Sequence, residues 1–184
     1  MLPVPFLRLA CLGLLFLCAG ARAETVLVLG DSIGAAFGLR PEQGWVAKLR
    51  DRLGPEHSVV NASVSGETTG GGLARLPALI ERHEPDVVVV ELGGNDGLRG
   101  YPLARVRANL QALVERSRAS GARVLLLGMR IPPNYGPRYA DGFHDLFAEV
   151  ARDRDGVLLV PFFLEGVAAE PDMMQDDGIH PHAA

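Results

Sequence analysis

A serine, an aspartate and a histidine of this chain have the residue types of a catalytic triad, a hydrogen-bonded relay that activates a serine nucleophile. Ser32 lies in the glycine-flanked stretch Gly30–Gly34, while Asp177 and His180 lie near the other end of the chain. A serine hydroxyl is a weak nucleophile near neutral pH, so it needs a base that takes its proton and a third group that orients the base. The residue types therefore predict Ser32 as nucleophile and His180 as base, with a neighbouring carboxylate as the orienting group.

The segment Asp176–Pro181 brings carboxylates close to the imidazole. A glycine between them permits a tight turn, in which one ring nitrogen bonds a carboxylate and the other faces the serine. Spacing alone leaves both Asp176 and Asp177 open as the partner. A metal site is the alternative, because three potential ligands occur here, but no second cluster supports it: Asp177, His180 and His182.

Two further glycine-containing turns, Ser63–Thr68 and Gly93–Asp96, follow apolar runs. The oxygen of an attacked ester carbonyl develops negative charge, which backbone N–H groups and a side-chain amide stabilise. We therefore expect the N–H groups of Ser32 and Gly66 and the amide of Asn95 to form an oxyanion hole. The alternative is that these turns only connect elements of the sheet.

Five short runs rich in valine and leucine are apolar at consecutive positions, which predicts buried parallel strands: Thr25–Leu29, Val59–Val60, Val87–Leu92, Val124–Leu127 and Val157–Val160. The segments between them have helical spacing of apolar residues, as at Trp45, Leu49 and Leu53. This alternation predicts an α/β fold, a three-layer α/β/α sandwich around a five-stranded parallel sheet. In such sheets, ligands bind outside the carboxyl ends of the strands, where Ser32, Gly66 and Asn95 follow their strands.

The beginning of the chain has the pattern of an export signal over residues 1–23. Arg8 precedes an apolar stretch from Leu9 to Leu17, and Ala21-Arg22-Ala23 precedes the expected cleavage point. The apolar stretch is shorter than the roughly 20 residues that span a bilayer. We therefore expect a periplasmic or secreted protein that has no stable membrane anchor after cleavage.

The expected mature chain, residues 24–184, has the length of one domain with a sizeable core. Both cysteines, Cys11 and Cys18, belong to the signal, so no disulfide is expected. The net charge of −4 gives no support to nucleic-acid binding. Only six mature residues precede Gly30, so the Gly-x-Ser-x-Gly pattern does not indicate an α/β-hydrolase fold, which needs several strands before its nucleophile.

Taken together, these motifs resemble those of the SGNH (GDSL-type) hydrolases, and most of all the periplasmic multifunctional thioesterase I group, which also has lysophospholipase and arylesterase activities. The resemblance rests on blocks spread from about Thr25 to Pro181: Gly30–Gly34, Val59–Ser63, Gly72–Leu79, Glu91–Gly100, Asn134–Gly136 and Met174–Pro181. It implies a flavodoxin-like sheet of strand order 2-1-3-4-5, no metal or organic cofactor, and hydrolysis of acyl esters and thioesters through an acyl-serine intermediate.

Carried to single residues, the resemblance implies Ser32 as nucleophile, His180 as base, Asp177 rather than Asp176 as orienting group, and the oxyanion donors Ser32, Gly66 and Asn95. It also implies substrate contacts from the Gly97 segment and the Asn134 block: Gly97, Leu98, Arg99, Asn134 and Tyr135. The family continues past its His-Pro pair into a last helix, whereas this sequence stops at Ala184. Either the sequence is truncated there or the protein lacks that helix, and in the second case we expect it to be less stable than its relatives.

Three other functions are compatible with the same motifs. A carbohydrate O-deacetylase uses the same catalytic set in other branches of the superfamily. A flavodoxin-like binding protein would hold a phosphate at Asp31–Gly34, where the charge of Asp31 opposes it, and an inactive lipid carrier would use the groove alone. We expect small-molecule ester or thioester substrates, and nothing in the sequence requires more than a monomer.

Overall fold

The computed structural model describes residues 23–183, and the predicted signal sequence with Cys11 and Cys18 lies outside them, apart from Ala23. The described strands are five: β1 (Thr25–Gly30), β2 (Ser58–Asn61), β3 (Val87–Glu91), β4 (Arg123–Leu127) and β5 (Val157–Val160). The described α-helices are also five: α1 (Trp45–Leu53), α2 (Thr69–His83), α3 (Gly94–Leu98), α4 (Leu103–Ala119) and α5 (Pro137–Ala151).

The strands form one parallel sheet in the order β2-β1-β3-β4-β5, which confirms the predicted topology. Its central strands are apolar at consecutive positions because both faces of the sheet are covered. Val28 and Val89 point into one core, and Leu29 and Val90 into the other. The five apolar runs of the sequence therefore correspond to the five strands.

Helices cover the two faces unequally. The larger core contains apolar side chains of α2, α4 and α5, including Leu76, Leu110 and Phe143, all fully buried. The smaller core lies under α1, where Val46 is buried and Trp45 packs edge-on against Phe163 at 5.2 Å between ring centroids. The architecture is therefore the predicted three-layer sandwich.

The segment after β1 differs from a simple strand-to-helix turn, because no helix begins at Ser32. Residues 32–38 form successive turns, and the first described α-helix begins only at Trp45. Ala36 at φ 58° and Gly38 at φ 74° have left-handed backbone, which ends any helical run. A phosphate site at a helix N-terminus, as the flavodoxin-like alternative requires, is therefore absent from Asp31–Gly34.

Candidate active site

The turn that carries Ser32 directly follows β1 at the carboxyl edge of the sheet. The carbonyl of Ser32 accepts a hydrogen bond from the N–H of Phe37 at 3.0 Å, and the Asp31 carboxylate accepts one from the N–H of Ile33 at 3.1 Å. The adjacent loop is joined to the same turn, because the Asn61 amide donates to the Gly34 carbonyl at 2.8 Å. These bonds hold the backbone on both sides of the hydroxyl.

A second turn, at residues 174–181, carries the aspartate and the histidine. Oδ1 of Asp177 accepts the N–H groups of Ile179 at 2.9 Å and His180 at 3.0 Å. Gly178, between Asp177 and Ile179, has φ 64°, a backbone conformation that favours glycine. The side chain of Gln175 donates to the carbonyl of Phe37 at 2.9 Å and so fastens this turn to the Ser32 turn.

The two turns bring the three predicted residues into one relay. His180 Nε2 lies 2.8 Å from Ser32 Oγ, and His180 Nδ1 lies 2.7 Å from Asp177 Oδ2. With Nδ1 donating to the carboxylate, Nε2 is the ring atom that accepts from the serine hydroxyl. Folding thus joins residues that are 148 positions apart in the sequence.

The charge of Asp177 is maintained by its hydrogen bonds. Slight burial raises the pKa of Asp177, but the N–H of His180, its ring and the N–H of Ile179 outweigh this effect and lower the pKa to about 2. The carboxylate is therefore ionised at neutral pH. An anion at this position stabilises the imidazolium that forms when His180 takes a proton.

Two of the predicted oxyanion donors, Ser32 and Asn95, line the same cavity. Asn95, in the first turn of α3, donates one amide hydrogen to Asp31 Oδ2 at 3.1 Å, so that its second amide hydrogen is directed elsewhere. Gly66 lies in the loop after β2 with φ 78°, and its carbonyl accepts from the Arg99 guanidinium at 3.1 Å. Gly66 is outside the lining of the cavity.

Below the serine turn lie two buried acidic side chains, Asp31 at 3 % exposure and Glu91 at 0 %. Burial raises the pKa of Glu91 well above its usual range, and the nearby charge of Asp31 raises it further. Burial also raises the pKa of Asp31, against the opposing effect of hydrogen bonds from Ile33 and Asn95. Burial beside Asp31 therefore favours the protonated form of Glu91.

A cavity of about 650 Å³ opens beside Ser32 and His180. Its walls are largely apolar and come from α3, the segment after β4, the segment after β5 and the histidine turn: Leu98, Met129, Ile131, Pro132, Pro133, Phe162, Leu164, Ala168, Ala169, Met174 and Ile179. Arg130 lies at the same cavity, with its guanidinium 5.4 Å from the ring centroid of Phe162. The arrangement suits a hydrophobic chain attached to a group that reacts with the serine.

The five predicted substrate contacts have different positions. Leu98 lines the cavity, whereas Gly97 is buried behind it, where a Cβ would lie 2.7 Å from Ile131 Cγ2. Tyr135 donates from its hydroxyl to the Leu98 carbonyl at 2.6 Å and lies outside the cavity lining. Two exposed residues complete the set, and neither lines the cavity: Arg99 and Asn134.

Sequence reasoning did not identify Glu91 as part of the site. A signal was present, since this glutamate ends a strand that is otherwise valine throughout, and a charged residue in a buried strand is unusual. It also did not identify the cavity wall after β5, at Leu164 and Ala168, because no motif marks that segment.

Within residues 23–183, no group of three or more histidine, cysteine or acidic side chains is arranged to hold a metal ion. The same described residues include no helix with the length and hydropathy of a membrane span.

Comparison with known proteins identifies similar enzymes. The family described as "GDSL-like Lipase/Acylhydrolase family" matches residues 28–184. Esterase TesA of Pseudomonas aeruginosa is 55 % identical over 177 residues, which cover 95 % of this chain and 88 % of the relative. Thioesterase 1/protease 1/lysophospholipase L1 of Escherichia coli is 45 % identical over 179 residues, covering 97 % of this chain and 84 % of the relative.

The fold is also that of a solved relative. The crystal structure of TesA superposes with a TM-score of 0.83 at 55 % identity, covering 87 % of this chain and 90 % of that chain. The fold class predicted from the sequence, a five-stranded parallel α/β/α sandwich of the SGNH type, is thereby confirmed.

Proposed function

The chain belongs to the GDSL-like lipase/acylhydrolase family and is a hydrolase of that type, and we propose that it cleaves acyl esters and thioesters through an acyl-Ser32 intermediate. The observation that carries the proposal is the relay of Asp177, His180 and Ser32, with contacts of 2.7 Å and 2.8 Å at the edge of an apolar cavity. The same residues would serve either substrate class, because both present an acyl carbonyl.

In the first half of the reaction, Ser32 Oγ attacks the acyl carbonyl carbon while His180 Nε2 takes the hydroxyl proton. The carbonyl oxygen becomes an oxyanion, which the N–H groups of Ser32 and Gly66 and the amide of Asn95 stabilise. When the tetrahedral intermediate collapses, the bond to the alcohol or thiol breaks, and the leaving group takes the proton from His180. The acyl group remains on Ser32.

In the second half, a water molecule attacks the acyl carbon and His180 takes one of its protons. Collapse of this intermediate returns the proton to Ser32 Oγ and releases the carboxylic acid. Asp177 stays ionised throughout and holds the imidazole in the tautomer that both halves require.

The cavity supports acyl groups longer than acetyl. Its volume of about 650 Å³ and the apolar side chains along its walls exceed what an acetyl group occupies. This observation favours an acyl-chain esterase over a carbohydrate O-deacetylase. We place the substrate chain along Leu98, Ile131 and Leu164, with Gly97 and Tyr135 supporting Leu98 from behind, and Arg99 and Asn134 at the rim.

We further propose that residues 1–23 direct export and that the hydrolase domain, residues 24–184, acts in the periplasm or outside the cell as a monomer on small-molecule substrates. Intact mass of the protein recovered from a periplasmic fraction tests the first part. The mature protein should begin at Glu24.

The decisive experiment is hydrolysis of a series of p-nitrophenyl and CoA esters, from acetyl to palmitoyl, by the purified protein and by Ser32→Ala. The wild type should hydrolyse the longer esters. A fluorophosphonate probe should label the wild type and should not label Ser32→Ala. Full turnover by Ser32→Ala would overturn the proposed mechanism, and activity confined to acetyl esters would favour the deacetylase.

A further inference from the structure

Glu91 is a buried acid directly beneath the nucleophile turn, and the relay described above does not use it. It ends β3, and its Oε2 accepts the N–H of Asp31 at 3.2 Å and the N–H of Gly34 at 2.9 Å. Glycines make room for the carboxyl group: a Cβ on Gly30 would lie 2.3 Å from Oε2, and one on Gly34 would lie 2.7 Å from it. A side chain at either of these glycines, which flank Ser32, would therefore collide with the Glu91 carboxyl group.

The contact of Glu91 with Asp31 involves their side chains as well. Burial, and after it the charge of Asp31, raises the pKa of Glu91 well above its usual range. The other carboxyl oxygen of Glu91, Oε1, is buried without a hydrogen-bond partner among the described residues. The raised pKa favours the protonated form of Glu91 beside the Asp31 carboxyl group. Ser63 Oγ faces the same space: it is buried, and a Cβ on Gly30 would lie 2.6 Å from it.

Asp31 connects Glu91 to the predicted oxyanion hole through hydrogen bonds. Its Oδ2 accepts an amide hydrogen of Asn95 at 3.1 Å, and its Oδ1 accepts the N–H of Ile33 at 3.1 Å. An amide with one hydrogen fixed has the direction of its second hydrogen fixed too, because the group is planar. A continuous chain of hydrogen bonds therefore runs from Glu91 through Asp31 to Asn95.

We propose that Glu91 is a positioning residue for the oxyanion hole, which acts through Asp31 to orient the amide of Asn95 toward the reacting carbonyl. The inference rests on the proposed function, since an oxyanion hole matters only if an acyl carbonyl is attacked. Hydrogen bonds that stabilise the oxyanion are made in the transition state and not to the bound ester, so loss of their alignment lowers kcat and leaves KM unchanged.

Two substitutions of Glu91 separate this role from simple packing. Glu91→Gln keeps an oxygen for the two N–H groups and a donor for Asp31, and its kcat should stay within about threefold of the wild type. Glu91→Leu keeps the approximate size but removes both functions, and its kcat should fall roughly 10-fold to 100-fold, below the 10²-fold to 10³-fold loss for a whole oxyanion donor. Val124→Ala, a buried β4 truncation away from the site, controls for lost stability.

A double-mutant cycle with Asn95→Ala provides the readout that a merely structural role would not change. If Glu91 acts through Asn95, the kcat of Glu91→Leu/Asn95→Ala should lie within about threefold of Asn95→Ala alone. Additive losses would overturn the proposal, as would a Glu91→Leu kcat close to that of the wild type or a Glu91→Gln loss as large as that of Glu91→Leu.

If Glu91→Leu does not fold, the double-mutant cycle can use Asp31→Asn in its place. Asp31→Asn places an amide nitrogen opposite the Asn95 amide and breaks the same link, so additive losses with Asn95→Ala would equally overturn the proposal. The proposed function is tested separately in the same assay: retained turnover by Ser32→Ala would refute it, whatever the Glu91 variants do.

Discussion

Replacing Asp177 by asparagine tests the relay most directly, because the structure fixes how the new amide must lie. Oδ1 of Asp177 accepts two N–H groups, from Ile179 and His180, so the asparagine oxygen takes that position. Its NH₂ group then faces His180 Nδ1, now 2.7 Å from Oδ2. Nδ1 must accept a hydrogen bond from the amide, which puts the imidazole proton on Nε2, where it blocks proton transfer from Ser32.

The magnitude follows from this tautomer argument and from solvent exposure. The corresponding change in a buried catalytic triad costs roughly 10⁴-fold in kcat. The Asp177 side chain is 37 % exposed, so water competes for the amide and some molecules regain the productive tautomer. We expect a kcat loss of about 10³-fold, which corresponds to about 4 kcal/mol of transition-state stabilisation.

The assay is steady-state hydrolysis of p-nitrophenyl butyrate at pH 7 by wild type, Asp177→Asn and the matched control Asp176→Asn. Asp176 is exposed and adjacent in sequence, and its substitution removes the same charge. The control should stay within about threefold of the wild type. If Asp177→Asn loses less than tenfold while Asp176→Asn loses more, the orienting role belongs to the other carboxylate.

Two further predictions concern stability and substrate length. Above about pH 4.5 the unfolded wild type releases the Glu91 proton, whereas the raised pKa keeps that proton bound in the folded state to higher pH. The stability of the wild type relative to Glu91→Gln therefore falls as the pH rises from about 4.5, by up to about 1.4 kcal/mol per pH unit. Denaturation curves at three pH values measure this difference, and a constant difference would show that folded Glu91 ionises as the unfolded chain does. Ala168→Trp places a large side chain in the cavity beside Ser32 and should lower kcat/KM for dodecanoyl esters more than kcat/KM for acetyl esters. Val167 lines a second, neighbouring cavity, so Val167→Trp should leave the ratio of these two kcat/KM values unchanged.

Much of the fold follows from local sequence signals. Valine and leucine at consecutive positions identified all five strands, and spacing of apolar residues identified α1, α2, α4 and α5. The short helix α3 was not predicted as a helix, because Gly94–Leu98 contains two glycines, an asparagine and an aspartate in place of an apolar face. The left-handed backbone at Ala36, which separates Ser32 from the first described α-helix, was not predicted because it has no sequence signature.

In the candidate site, the catalytic residues could be predicted from the sequence, whereas the cavity walls could not. The residues of the relay were predicted because their chemistry is unusual and their motifs are compact, and the structure brings them together. The cavity walls were not predicted, because apolar residues such as Leu164 carry no mark that separates a substrate wall from a core. Contacts assigned to Asn134 by resemblance depend on loop conformation, and in this structure that residue lies outside the cavity lining.

Two acidic side chains near Ser32, Asp177 in the histidine turn and Glu91 at the end of β3, have pKa values shifted in opposite directions, and the difference in burial explains this. Asp177 is exposed and receives three hydrogen bonds, so it stays ionised and can balance the charge of the imidazolium. Glu91 is fully buried beside another acid, which raises its pKa and favours its neutral form. Were Glu91 also ionised, two negative charges would lie beneath the developing oxyanion and oppose it. A neutral Glu91 therefore allows the Asp31–Asn95 pair to orient a donor at the oxyanion hole with one anion beneath it and not two.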